Sequence, residues 1–205
     1  MKDIAAVLFD LDGVLVDACD WHYKALNNAL VDRGHSPINE TDHINTFNGL
    51  PTKVKLHMLN VPSNEIDEIN SLKQKHTIDI INSHAAIMNE KIELHKFLHS
   101  MGIKIACVTN SIRQTAELML EKTGQLKYID LLISNEDVEK NKPNPEGYNK
   151  AVRHWNLKKS ECLCVEDSDK GIQAVVNAMI HNLWVVKDTH DVTLEGYVNY
   201  MENNK

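Results

Sequence analysis

Five short, almost unbroken apolar runs set the strongest limit on how this chain can fold. They occupy residues 4–9, 103–108, 131–134, 162–165 and 183–186. Runs of this length without polar alternation read as strands covered on both faces, the pattern of a parallel sheet. From residue 103 onward they alternate with helix-like stretches at 114–122, 145–155 and 170–178, and residues 90–99 supply a helix leading into the second run. That alternation predicts an α/β fold whose strands are joined by right-handed crossovers.

The first gap breaks the rhythm. Residues 10–102 separate the first two strands, far more than one crossover helix requires. Residues 18–85 show helical periodicity and no convincing strand. Segments 21–33, 52–59 and 65–81 each place apolar residues on one helical face, and Asn, Gly and Pro punctuate them at 34–37, 48–51 and 61–64. The expected organisation is therefore a core domain, residues 1–17 and 86–205, with a helical cap domain, residues 18–85, inserted after the first strand and packed over the sheet. The polar end, residues 201–205, is expected to fray.

Charge and cysteine usage narrow the partners. A net charge of −7 argues against nucleic acid, whose binders cluster Lys and Arg against phosphates. It leaves room for an anionic small molecule, for which a few local cations suffice. No stretch approaches the roughly 20 apolar residues of a membrane span, so no membrane partner is expected. The opening apolar run is too short for a signal-peptide core. Cys19, Cys107, Cys162 and Cys164 form no CxxC pair, and three of them sit inside apolar runs as small hydrophobes. A cytoplasmic protein is the expectation.

Polar residues gather where the strands end. The first strand runs into Asp10-Leu11-Asp12-Gly13, and the second into Thr109-Asn110-Ser111. Asn141-Lys142-Pro143-Asn144-Pro145 follows the third, and Glu166-Asp167-Ser168 closes the fourth, with Gly171 near the next helix start. In parallel α/β sheets ligands bind at the carboxyl ends of strands. Each motif alone has a plain structural explanation: a strand-ending turn for Asp10 and Asp12, a helix N-cap for Thr109 and Asn110, a surface lysine for Lys142. As an ordered set they place four carboxylates, an ammonium, a hydroxyl and an amide at one sheet edge. One carboxylate can attack an electrophile while its neighbour handles protons. Lys142 and a hard cation on the second acidic pair would offset the charge and stabilise a phosphoryl-transfer transition state.

These four segments, beginning with Asp10-Leu11-Asp12-Gly13-Val14-Leu15-Val16-Asp17, resemble in order the four motifs of the haloacid dehalogenase superfamily. The closest similarity is to its β-phosphoglucomutase and phosphoglycolate phosphatase branch. The resemblance implies a Rossmann-like core and a Mg²⁺-dependent phosphatase acting on a small phosphorylated metabolite. In it Asp10 is the nucleophile that forms an aspartyl phosphate, and Asp12 is the acid and then the base. Mg²⁺ would be held by the Asp10 side chain, the Asp12 carbonyl and Asp167, with Glu166 as an additional or supporting ligand. Thr109, Asn110 and Lys142 would bind the phosphoryl group, and the cap would close over substrate. His22 matches a cap-hinge histidine that contacts substrate in the mutase-like branch, or else is a helix-surface histidine. Lys53 touches substrate or is solvated.

The nearest rival is a phosphosugar mutase, whose pattern has a cap arginine where this chain has Thr52. Phosphonoacetaldehyde hydrolases and the name-giving dehalogenases lack a carboxylate at the Asp12 position. Outside catalysis, a signalling receiver shares acidic residues, Thr and Lys on a parallel sheet, but not an insertion after the first strand. A binding-only relative would be expected to lack a catalytic position, and none is missing here.

Overall fold

The computed structural model describes residues 3–47 and 50–204. Its centre is one five-stranded parallel sheet, β1 (Ala6–Phe9), β2 (Lys104–Val108), β3 (Leu131–Ile133), β4 (Cys162–Glu166) and β5 (Asn182–Val185), in the order β3-β2-β1-β4-β5. All four β1 residues are fully buried, which is why the run carries no polar alternation. Each strand falls on one of the five apolar runs, with ends shifted by a residue or two.

Register decides where the site lies. Phe9 pairs with both Cys107 and Val165, so Asp10 emerges level with Val108 and Glu166. The ladder continues past β1, with the Asp10 N–H donating to the Val165 carbonyl at 3.0 Å. Thr109 donates likewise to Ile133 at 2.9 Å. The ends of β1, β2 and β4 are thereby aligned at one edge.

Backbone contacts divide the chain into two compact units, Met1–Asp17 with Ala86–Lys205, and Ala18–Ala85. The second unit is helical. It contains α1 (Cys19–Asp32), the short α2 (Glu40–Asp42) running into a π-helical turn (His43–Phe47), α3 (Thr52–Met58) and α4 (Ile66–His84). Leu26, Leu30, Ile38, Phe47, Leu56 and Ile69 form its own apolar core. The Asn27 side chain ties the following loop back to α1, accepting from Ile38 N–H and donating to Ile38 O, both at 2.9 Å. α2 and the π turn lay outside the expected helices, and the break at 48–51 begins outside the described residues.

In the first unit α5 (Asn89–Ser100), α6 (Arg113–Lys122), α7 (Glu146–His154), α8 (Asp169–Asn177) and α9 (Leu194–Asn203) flank the sheet. Ala6, Leu8, Ala106, Val108 and Cys164 on one sheet face pack with Tyr148, Ala151, Ala174 and Val175 of α7 and α8. Each fully buried large side chain contributes about 1.5–3 kcal/mol. On the other face the Phe9 ring meets His95 of α5, and Phe97 of α5 meets Tyr197 of α9. α9 corrects the expected fraying: Met201 lies within it. Thr193 caps it by accepting from Gly196 N–H at 3.0 Å, and Leu194, Tyr197, Val198 and Met201 repeat at helical spacing. No helix among the described residues is long and apolar enough to cross a membrane.

Candidate active site

Asp10 is the first residue beyond β1 and is only 7% exposed. The chain then closes a tight loop: Leu15 and Val16 N–H groups donate to Leu11 O, and Gly13 N–H to Val16 O, at 2.8–2.9 Å. Gly13 has φ +90°, and a Cβ there would lie 2.1 Å from Asp167 Oδ2. Glycine thus serves both the turn and the close approach of the Asp167 carboxylate.

Lys142 joins the two acidic strand ends. Its ammonium donates to Asp10 Oδ1 and to Glu166 Oε1, each at 2.6 Å, and sits 5.1 Å from the Tyr148 ring centroid. Tyr148, fully buried on α7, donates its hydroxyl to the same Glu166 oxygen. A Cβ on Gly171 would lie 2.0 Å from the Glu166 carboxyl carbon, so any side chain in this first turn of α8 would displace the Glu166 carboxylate. The Lys142 backbone is held in turn by Asn110, whose Oδ1 accepts from Lys142 N–H at 3.0 Å and whose Nδ2 donates to Lys142 O at 3.4 Å. The Asn110 side chain therefore grips the loop that delivers the lysine.

Asp12 faces the end of β2. Ser111 Oγ donates to Asp12 Oδ2 at 2.8 Å, and Thr109 Oγ1 approaches the same oxygen at 3.5 Å. Thr109 Oγ1 also accepts from Ser111 N–H at 3.0 Å, which holds the Thr109 hydroxyl in place.

Charge is concentrated out of water. Burial pushes the Asp10 carboxyl well above its ordinary range; Lys142 opposes this, while Glu166 and Asp12 reinforce it. Burial alone would lower Lys142, but Asp10 and Glu166 on either side hold its ammonium above the usual lysine value. Asp167 is pushed up to about 6, by burial first and then by Glu166. Carboxylate oxygens of Asp10, Glu166 and Asp167 lie within 4.8 Å of one another. Asp167 Oδ1 is buried without a hydrogen-bond partner. An all-oxygen, net-negative cluster with an orphaned carboxylate oxygen fits a hard divalent cation, which would supply the missing partner.

The description "haloacid dehalogenase-like hydrolase" matches residues 7–185, most of the chain. The chain belongs to the haloacid dehalogenase-like hydrolases. It is an enzyme of that family, a phosphohydrolase. It is 30% identical over 186 residues to a validoxylamine A 7'-phosphate phosphatase from Streptomyces hygroscopicus, covering 90% of this chain and 86% of the relative. It is 29% identical to pyrophosphatase PpaX of Halalkalibacterium halodurans, covering 86% of this chain and 80% of that one. A solved β-phosphoglucomutase from Clostridium difficile shares the fold, with a TM-score of 0.80 at 21% identity and 98% of each chain covered.

In this haloacid dehalogenase-like hydrolase the structure brings Asp10, Lys142, Glu166 and Asp167 together, with Asp12, Thr109 and Asn110 beside them. His22 belongs to the helical unit, where Lys73 Nζ donates to its Nδ1 at 3.1 Å. Lys53, in the same unit, pairs on the surface with Asp67 Oδ1 at 2.7 Å. Two participants escaped the sequence reading. Ser111 stood in the second motif without a role of its own. Tyr148 could have been found as the one aromatic on the apolar face of its helix, since a buried tyrosine hydroxyl needs a partner.

Proposed function

We propose that this chain is a Mg²⁺-dependent phosphatase that hydrolyses a small phosphate monoester through an aspartyl phosphate on Asp10. The observation that supports it most is the buried Asp10–Lys142–Glu166 bridge, with both bonds at 2.6 Å, beside the orphaned Asp167 oxygen. Phosphatase-named relatives of near-full length favour the same reaction.

In the first half-reaction an Asp10 carboxylate oxygen attacks phosphorus and the bond to the ester oxygen breaks. Asp12 donates its proton to that leaving oxygen. In the second half-reaction Asp12, now a carboxylate, takes a proton from water as the water attacks the aspartyl phosphate, releasing inorganic phosphate and restoring Asp10. Ser111 and Thr109 would hold the Asp12 carboxylate at the β2 end while it changes role. Lys142 supplies fixed positive charge to the phosphoryl oxygens, and Thr109 and Asn110 complete their binding; Asn110 also pins the lysine's backbone. Asp10, the Asp12 carbonyl and Asp167 would hold Mg²⁺, with Glu166 supporting. When bound, the ion offsets negative charge on the carboxylates and on the transferring group. Residues 18–85 would act as the cap, with His22 contacting substrate.

A mutase is disfavoured by Thr52, which stands where the mutase pattern resembled above has arginine. The likeness to β-phosphoglucomutase, at 21% identity, bears on the fold alone. The test is phosphate release from p-nitrophenyl phosphate, hexose phosphates, phosphoglycolate, pyrophosphate and nucleotides, with Mg²⁺ and with a chelator. Metal-dependent release supports the reading. Release that a chelator does not touch, or none from any compound, overturns it.

A further inference from the structure

We infer that Gln125, braced by His95, is a positioning residue for the loop that carries Asp10 and Asp12; this rests on the reading of Asp10 as nucleophile. Gln125 lies just beyond α6, 110 residues from its target, and is fully buried. Its Nε2 donates to the carbonyl of Leu15 at 3.0 Å and to Thr123 Oγ1 at 2.9 Å, and its Oε1 meets His95 Nε2 at 3.0 Å.

The donors can be assigned from chemistry alone. The Leu15 carbonyl can only accept. The Thr123 hydroxyl spends its proton on Met119 O at 2.8 Å, so it too presents a lone pair to Gln125. The amide nitrogen must therefore face these two, the amide oxygen must face His95, and His95 must carry its proton on Nε2. Every polar atom of the amide is used, as a buried amide requires.

Both ends of the reacting loop are gripped in this way. Residues 11–16 form a unit closed by their own hydrogen bonds, and Gln125 fixes that unit through Leu15. Phe9, immediately before Asp10, has its ring edge-on to His95 with centroids 5.6 Å apart. An apolar side chain at 125 would fill space but leave the Leu15 carbonyl without this donor. A loop shift of a fraction of an ångström is enough to misalign an attacking carboxylate.

The test compares wild type with Gln125→Met, His95→Phe and Asn182→Ala. Asn182 donates to Ser160 and Cys162 carbonyls where β4 begins, at the opposite end of the sheet from Asp10, and so controls for general destabilisation. Two readouts are taken: kcat and KM for p-nitrophenyl phosphate with Mg²⁺, and amide hydrogen exchange of residues 10–16. Gln125→Met should lower kcat about tenfold while KM stays within about twofold, and should speed exchange across 10–16. His95→Phe should do the same more weakly, and it decides the matter where Gln125→Met does not fold. Asn182→Ala should melt earlier with wild-type kcat and exchange. Folded variants at 125 and 95 with wild-type kcat and exchange overturn the inference, as does an equal kcat loss in Asn182→Ala. Full turnover in Asp10→Asn removes the nucleophile reading instead, and exchange at 10–16 then decides the positioning claim by itself.

Discussion

Acidification should destabilise this protein through one buried histidine. His95 is fully enclosed, with its Nε2–H on Gln125, while its Nδ1 is buried without a hydrogen-bond partner. A second proton would create a charged donor with nothing to receive it. The groups around the ring are the Phe9 and Tyr128 rings, the Gln125 amide, and the cationic or titratable His99 and Lys91. Burial, with His99 and Lys91 adding repulsion against the Gln125 bond, lowers the imidazole from its ordinary 6.5 to about 4. Because the unfolded chain takes up the proton first, the stabilisation is complete above 6.5. It is lost as pH falls from there towards 4, and below that the loss is constant. The full difference is about 3 kcal/mol, of which about 2 kcal/mol is gone at pH 5. For a chain of this size that is a melting shift of about 4–8 °C. Carboxylates also titrate in this range, so the measurement is a difference: melting curves of wild type and His95→Phe from pH 7.5 to 5. The variant lacks the donor to Gln125 and should melt earlier at pH 7.5, with the gap closing by about 2 kcal/mol at pH 5. Two curves that stay parallel would refute the reasoning.

Asp10→Asn should abolish turnover in a folded protein, and Asp12→Asn should slow both formation and hydrolysis of the aspartyl phosphate; single-turnover phosphate release from each checks this, and a wild-type rate removes that residue from its role. Lys142→Met leaves Asp10 and Glu166 buried without their shared cation, so denaturant unfolding should show a loss of about 3–5 kcal/mol, and an unchanged midpoint contradicts the bridge. Mg²⁺ at one hundred times its Kd should raise stability by about 2.7 kcal/mol, and Asp167→Asn should erase most of that rise in calorimetry. Gly13→Ala forces a Cβ against Asp167 at a positive φ and should cost about 1–3 kcal/mol in melting experiments while weakening the Mg²⁺ response.

Some of the architecture could be read because it is local. Short, nearly continuous apolar runs suit strands of a covered sheet, so the five strands were visible even though Val185 of β5 lies exposed, and their parallel direction followed from the alternation with helices after residue 103. Polar motifs following four of the five runs marked the sheet edge. α5 shows why other parts stayed hidden. Its buried positions are Lys91, Leu94, His95 and Leu98, a perfect i, i+3, i+4, i+7 stripe in which two members look like surface residues. The carbonyls of Thr189 and Val192, which receive the Lys91 ammonium, the nearby carboxylates of Glu90, Asp188 and Asp191, and the amide of Gln125 make those burials possible. α9 was missed for a simpler reason: its cap and apolar stripe are present, but so short a stripe near a polar end carries little weight.

The sequence by itself determined the order of the elements and which side chains wait at the strand ends, because pleat, helical period and turn chemistry act over a few neighbouring residues. Only the tertiary structure decided the pairings. Lys142 reaches Asp10 across 132 positions and Gln125 reaches Leu15 across 110. The first forms because a parallel register levels the strand ends, and both because buried polar groups must find partners within a hydrogen-bond length, a condition no local pattern encodes.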